Sequence, residues 1–177
     1  MSIQVLDKVF SLYISEKEIQ LQVQRIAEEI QQDFSNEKPF LVCILKGALF
    51  FFADLLEALA IPCDLTFYRV SSYSGLASTE NIQEAAPFPR DINGRKVIIV
   101  DDLIDTGNTM EFLISHLKKL GASEVRIASL FFKPGKFKKD FPIDYYGMEI
   151  SDEFIVGYGL DYDEEGRNYP DIYRVNE

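Results

Sequence analysis

The sequence predicts a doubly wound α/β fold built on a mostly parallel sheet. Three observations carry that expectation. Short continuous apolar runs such as "FLVCIL" and "KVIIVD" have the length and composition of strands buried on both faces. Longer segments between them repeat their apolar residues at helical spacing. Acidic and small polar residues then gather where one apolar run ends, in "DDLIDTGNT", the place where such sheets hold ligands.

Taken in order, "SEKEIQLQVQRIAEEIQQDF" opens with Ser15 and Glu18 at capping-box spacing. It aligns Ile19, Val23, Ile26, Ile30 and Phe34 on one helical face. "FLVCIL" follows as a buried strand, "GALFFFADLLEAL" as an apolar helix closed by Pro62, and "CDLTFYRVSS" as a partly alternating strand. Residues 74–95 lack periodicity and are rich in Gly, Ser, Asn and Pro. Such a long irregular stretch in a compact domain is expected to be a functional lid, with "DING" turning the chain into the next strand. "RKVIIVD" is that strand. "TMEFLISHLKKL" is a helix stopped by Gly121, with Lys118 and Lys119 complementing its dipole. "EVRIASLFFK", "DYYGMEI" and "FIVGYGLDY" supply further strands.

Composition narrows the class. A chain of 177 residues suits one compact domain. With 29 acidic against 18 basic residues its net charge is −11, which disfavours nucleic acids and anionic membranes as partners. The most apolar region, residues 39–63, is interrupted by Lys46, Asp54 and Glu57, so no membrane span is expected. "MSIQVLDKVF" has no leader pattern. Cys43 and Cys63 sit in apolar contexts and read as buried reduced thiols, so a cytoplasmic location is expected.

The stretch "VIIVDDLIDTGNTM" carries the chemistry. Asp101 and Asp102 end a buried strand, where paired carboxylates repel unless a cation intervenes or hydroxyl groups are held. Mg²⁺ accepts one or two protein carboxylates together with ligand oxygens. Asp105 is either a helix N-cap or a chemical group. Thr106, Gly107, Asn108 and Thr109 then lead into a helix, whose first amides bind phosphate. The spacing is neither a Walker A loop nor GxGxxG. It suits a sugar phosphate with a diol and a metal-bound group.

These residues resemble the 5-phosphoribosyl-1-diphosphate (PRPP) signature of type I phosphoribosyltransferases. "LVCILKGALFFFADLL", "VSSYSG", "SLFFKPGK" and "FIVGYGLDYDEEGRNYPDIY" are similar to further segments of the hypoxanthine-guanine branch, in the same order. The resemblance implies a single domain, a mobile loop at about 72–92, and a base-binding hood from about 133–177 completed by N-terminal residues. It implies purine salvage with Mg²⁺: PRPP and hypoxanthine or guanine give IMP or GMP plus diphosphate, in a homodimer or homotetramer.

The same resemblance assigns roles. Asp105 matches the general base, and Asp101 and Asp102 the acids near ribose and Mg²⁺; Asp101 stands where the family commonly has Glu. Lys46 and Gly47 match the diphosphate loop, with a cis Leu45–Lys46 bond, and Arg167 the diphosphate arginine. Lys133 matches the donor to the purine 6-oxo group, Phe154 the stacking aromatic, and Ile155 the position whose backbone meets the purine edge. Asp161 matches a second Mg²⁺ site, and Ser72 and Tyr73 the closing loop. Glu153 replaces the lysine frequent beside the stacking aromatic. Other readings are a xanthine or pyrimidine transferase, an RNA-binding nucleotide sensor of the same fold, and a receiver-like phosphoacceptor.

Overall fold

The computed structural model describes residues 1–73, 81–84 and 87–176. In chain order its elements are β1 (Ser2–Val5), β2 (Lys8–Ile14), α1 (Glu16–Asp33), β3 (Phe40–Ile44), α2 (Leu49–Ala58), β4 (Asp64–Tyr68), β5 (Val70–Tyr73), β6 (Asn81–Glu84), β7 (Lys96–Ile104), α3 (Asn108–Lys119), β8 (Glu124–Phe132), β9 (Tyr145–Glu149), β10 (Ile155–Val156) and β11 (Ile172–Val175).

Five strands form the central sheet in the order β4-β3-β7-β8-β9, and every pairing within it is parallel. Side chains alternate across it. Leu41, Cys43, Ile98, Val100, Ala128 and Leu130 face a core shared with α1 and α2. Phe40, Val42, Ile44, Val97, Ile99 and Ile127 face the opposite core, under α3. Helices on both faces explain why these strands read as unbroken apolar runs. The doubly wound, mostly parallel expectation therefore holds.

Helix α1 buries the expected face: Ile19, Val23, Ile26, Ile30 and Phe34 are each no more than 1% exposed. Its capping box is formed, the Glu18 carboxylate accepting from the Ser15 N–H at 2.9 Å. The "DING" turn is real as well. The Asn93 N–H donates to the Asp91 carboxylate and the Arg95 N–H to the Ile92 carbonyl.

Three expectations need correction. Residues 81–84, placed in an irregular stretch, form β6, which pairs with β5 in an antiparallel ribbon. Of the rest of that stretch, residues 74–80 and 85–86 lie outside the described residues. "FIVGYGLDY" yields only the two-residue β10. Gly157, Tyr158 and Gly159 all have positive φ (105°, 45° and 99°), which ends the ladder. Cys63 is half-buried rather than buried, although Cys43 is fully enclosed and both are free thiols.

The chain ends build a second, antiparallel sheet in the order β1-β2-β11-β10. Val5, Phe10, Val156 and Tyr173 form its core. Strand β9 lies inside the 133–177 span but joins the main sheet, so only the part of that span beyond it contributes strands to the second sheet. Among the described residues no helix is long and apolar enough to cross a membrane.

Candidate active site

Strand order reverses between β3 and β7: β3 continues outward to β4, and β7 to β8. Chains leaving the carboxyl ends of these two strands part to opposite faces and open a crevice. A cavity of about 550 Å³ lies there, lined by Lys46, Gly47, Arg69, Asp101, Asp102, Asp161, Glu164 and Arg167, among others. A smaller one of about 100 Å³ follows the β7–α3 turn and is lined by Asp101 and residues 103–110.

The loop after β3 carries Lys46 and Gly47, and the Leu45–Lys46 peptide is cis, as expected. Gly47 is required by close approach. A Cβ there would lie 2.6 Å from Cγ of Asp102. A Cβ on Gly159 would in turn strike the Gly47 carbonyl oxygen. The β3 loop is thus packed against the Asp102 side chain of β7 and against the backbone of the turn after β10.

At the end of β7, Asp101 is buried and Asp102 half-buried, and Asp101 Oδ1 accepts from the Asp102 N–H at 3.1 Å. Burial raises the pKa of both carboxyls, and at Asp101 the Asp102 charge raises it further. A pair held this way favours either a proton or a divalent ion. Among the described residues no cluster of three or more His, Cys, Asp or Glu side chains surrounds a common point. The pair fits an ion that takes its other ligands from substrate and water, as Mg²⁺ does.

The β7–α3 turn supplies the second half. Gly107, with φ 82°, is the N-cap of α3 and makes no side-chain cap. Asp105 is therefore not the cap, which removes that reading. Its Oδ1 is buried without a protein hydrogen-bond partner among the described residues, and Oδ2 lies 3.6 Å from the Lys136 ammonium. Thr106 is exposed and Asn108 and Thr109 are half-buried; all three line the smaller cavity at the start of α3, where the Asn108 N–H donates to the Thr106 hydroxyl at 3.5 Å.

Lys133 follows β8 and is only 7% exposed. Its backbone N–H donates to the Ile104 carbonyl, and its ammonium donates to the Glu153 carbonyl at 2.9 Å, with Asp152 3.8 Å away. Phe154 is 46% exposed and stands beside Phe10 and Tyr162, at centroid distances of 6.3 and 5.7 Å. Ile155 is buried in β10, paired with Arg174. Glu153 is tied to Arg174 at 3.0 Å. Arg167 pairs with Asp161 at 2.7 Å. Ser72 and Tyr73 lie in β5, and their side chains lie outside the described residues.

Residues 13–163 match the model of the phosphoribosyl transferase domain. The chain belongs to the phosphoribosyltransferase family. It is 37% identical to a hypoxanthine-guanine phosphoribosyltransferase of Aquifex aeolicus, over 96% of this chain and 97% of that protein. It is 34% identical to a hypoxanthine-guanine-xanthine phosphoribosyltransferase of Tritrichomonas foetus, over 98% and 95% respectively. A crystal structure of a hypoxanthine-guanine phosphoribosyltransferase from Bacillus anthracis superposes with a TM-score of 0.89 at 35% identity, covering 94% of this chain and 98% of that one.

Sequence reasoning missed Arg69 and Glu164, which line the crevice, and the Lys136–Asp152 pair, which stands beside Asp105 and Lys133. No local signal marks them. Each is an ordinary charged residue in a loop, and only tertiary proximity brings it to the site.

Proposed function

We propose that the protein is a purine-salvage enzyme. It transfers the 5-phosphoribosyl group of PRPP to hypoxanthine or guanine, giving IMP or GMP and diphosphate. One observation carries the reading. At the switch point of the sheet, two cations, Lys46 and Arg167, line one cavity together with the Asp101–Asp102 pair, beside a second cavity lined by the start of α3. Relatives named for this activity match along nearly the whole chain.

In this reading the amides and side chains of residues 106–109 hold the 5-phosphate. Asp101 and Asp102 hold the ribose hydroxyls and, with substrate oxygens, Mg²⁺; Asp161 serves a second such ion. Bound Mg²⁺ supplies charge neutralisation of the departing diphosphate. Lys46 and Arg167 hold the same group from the protein side, the guanidinium through its planar fork. The bond from purine N9 to ribose C1 forms as the C1–oxygen bond breaks, and diphosphate leaves with the electron pair. Asp105 takes the proton from N7.

Lys133 donates to the 6-oxo group. A 6-amino base would set donor against donor, which rejects adenine. Phe154 stacks on the base and the backbone at Ile155 meets its edge. Ser72 and Tyr73 would serve to exclude water from the reacting atoms. The protein acts as a single catalytic domain, as a homodimer or homotetramer, in the cytoplasm.

The test is incubation with PRPP, Mg²⁺ and hypoxanthine, guanine, xanthine, adenine or uracil in turn, with product identification. IMP and GMP are expected. Product from uracil or adenine alone, or none from any base, overturns the proposal. Xanthosine monophosphate formed as readily as IMP would place the chain with the xanthine-using relatives.

A further inference from the structure

The two cations of the crevice already share a carboxylate. Lys46 Nζ donates to both oxygens of Glu164, at 2.9 and 2.8 Å, and Arg167 Nη2 donates to Oε2 at 3.1 Å. One oxygen bridging an ammonium and a guanidinium is also how a phosphate oxygen would bridge them.

Glu164 is brought there by an unusual turn. Tyr162 and Glu165 exchange backbone hydrogen bonds of 2.9 and 3.0 Å around Asp163 and Glu164, whose φ angles are 48° and 69°. Positive φ at both central residues is the type I′ geometry, which favours Asn-Gly. A glutamate in the left-handed region is uncommon and is held by its surroundings. Here the Asp161 carboxylate accepts from the Glu164 N–H at 2.8 Å. The chain accepts a costly backbone conformation at the residue that spans the two cations.

We propose that Glu164 is a built-in counter-ion of the diphosphate site, bridging Lys46 and Arg167 until the diphosphate group displaces it. This rests on reading Lys46 and Arg167 as diphosphate ligands. The Glu164 side chain is 65% exposed, so it can swing into water when displaced. Its exchange for diphosphate swaps two solvent-screened ion pairs, so it tempers affinity without abolishing it. It also gives diphosphate a waiting replacement as it departs, so the two cations are not left unpaired. Glu164 is thus an affinity-setting residue that acts through Lys46 and Arg167.

The test is calorimetric titration of the full chain with magnesium diphosphate. Glu164→Gln is expected to bind about five- to tenfold tighter than the wild type, with Glu164→Asp in between. The gap should shrink as ionic strength rises from about 0.05 to 0.5 M, where screening is strong. In turnover, KM for PRPP and the inhibition constant of diphosphate should fall together, while KM for the base stays unchanged. A merely structural role would not tighten binding. A second variant, Asp163→Asn with Glu164→Gly, removes the carboxylate while giving the turn its preferred residues, so folding is not the obstacle. Wild-type binding with no tightening in either variant overturns the proposal alone. A wild-type chain that binds no diphosphate overturns the functional reading and the proposal with it.

Discussion

On the proposed reading, replacing Lys133 by Met should separate recognition of the base from recognition of the donor. Lys133 is nearly enclosed, and its backbone ties the end of β8 to the end of β7 through the Ile104 carbonyl. Met fills similar space and leaves that bond in place. The ammonium has three donors. The Glu153 carbonyl takes one at 2.9 Å, and Asp152 stands 3.8 Å away. If another reaches the 6-oxo group, its loss removes a charge-assisted hydrogen bond of about 1.5–3 kcal/mol, about 10- to 150-fold in kcat/KM for hypoxanthine. The Glu153 carbonyl loses its partner too, at about 1 kcal/mol, which lowers the melting temperature by about 2–4 °C. Calorimetry with magnesium diphosphate should give an unchanged affinity, and the preference for hypoxanthine over adenine should narrow. Equal losses in hypoxanthine use and diphosphate affinity would show that Lys133 supports the whole crevice rather than the base.

Asp105→Asn should lower kcat by about 10²- to 10⁴-fold while leaving diphosphate affinity intact, as measured by turnover beside calorimetry. Asp101→Asn bears on pH. The folded pKa of Asp101 is raised, first by burial and then by Asp102, so the native state keeps a proton that the unfolded chain releases. Stability is thus fully present below the unfolded pKa and is lost as pH rises toward the folded one. The metal-free Asn variant should melt a few degrees higher than the wild type at neutral pH and alike near pH 4. Mg²⁺ should stabilise the wild type more than the variant; a variant that melts lower at neutral pH contradicts this. Gly159→Ala forces a Cβ toward the Gly47 carbonyl at a φ of 99°. It should lose about 1–3 kcal/mol of stability and weaken diphosphate binding, seen by thermal melting and the same titration.

What the sequence made legible follows from what each feature depends on. The central strands are buried on both faces, so their signal is local and continuous, as in "FLVCI" and "VIIV". Helix α1 carries both its cap and its face within one segment. The second sheet has no such signature, because β2 and β11 come from opposite ends of the chain and meet only through tertiary pairing. The cap reading of Asp105 failed because Gly107, in the left-handed region, begins the helix instead. In the site, the acids of β7 and the small polar residues that follow stood out because they are adjacent in the chain.

Lys46 and Arg167 are different. Each alone looks like a surface cation, and neither announces Glu164, which joins them from a turn position where glycine is usual. Their joint setting also decides the electrostatics. The crevice is lined by three cations, Lys46, Arg69 and Arg167, and by four carboxylates, Asp101, Asp102, Asp161 and Glu164. With every group ionised, it would repel a polyanionic donor. Two changes reverse that sign: an ion on the Asp101–Asp102 pair, and withdrawal of Glu164 into water. The chain's overall acidity is therefore not at odds with an anionic substrate. On the proposed reading, donor binding would depend on a divalent ion arriving and would be tempered by the internal carboxylate until it leaves.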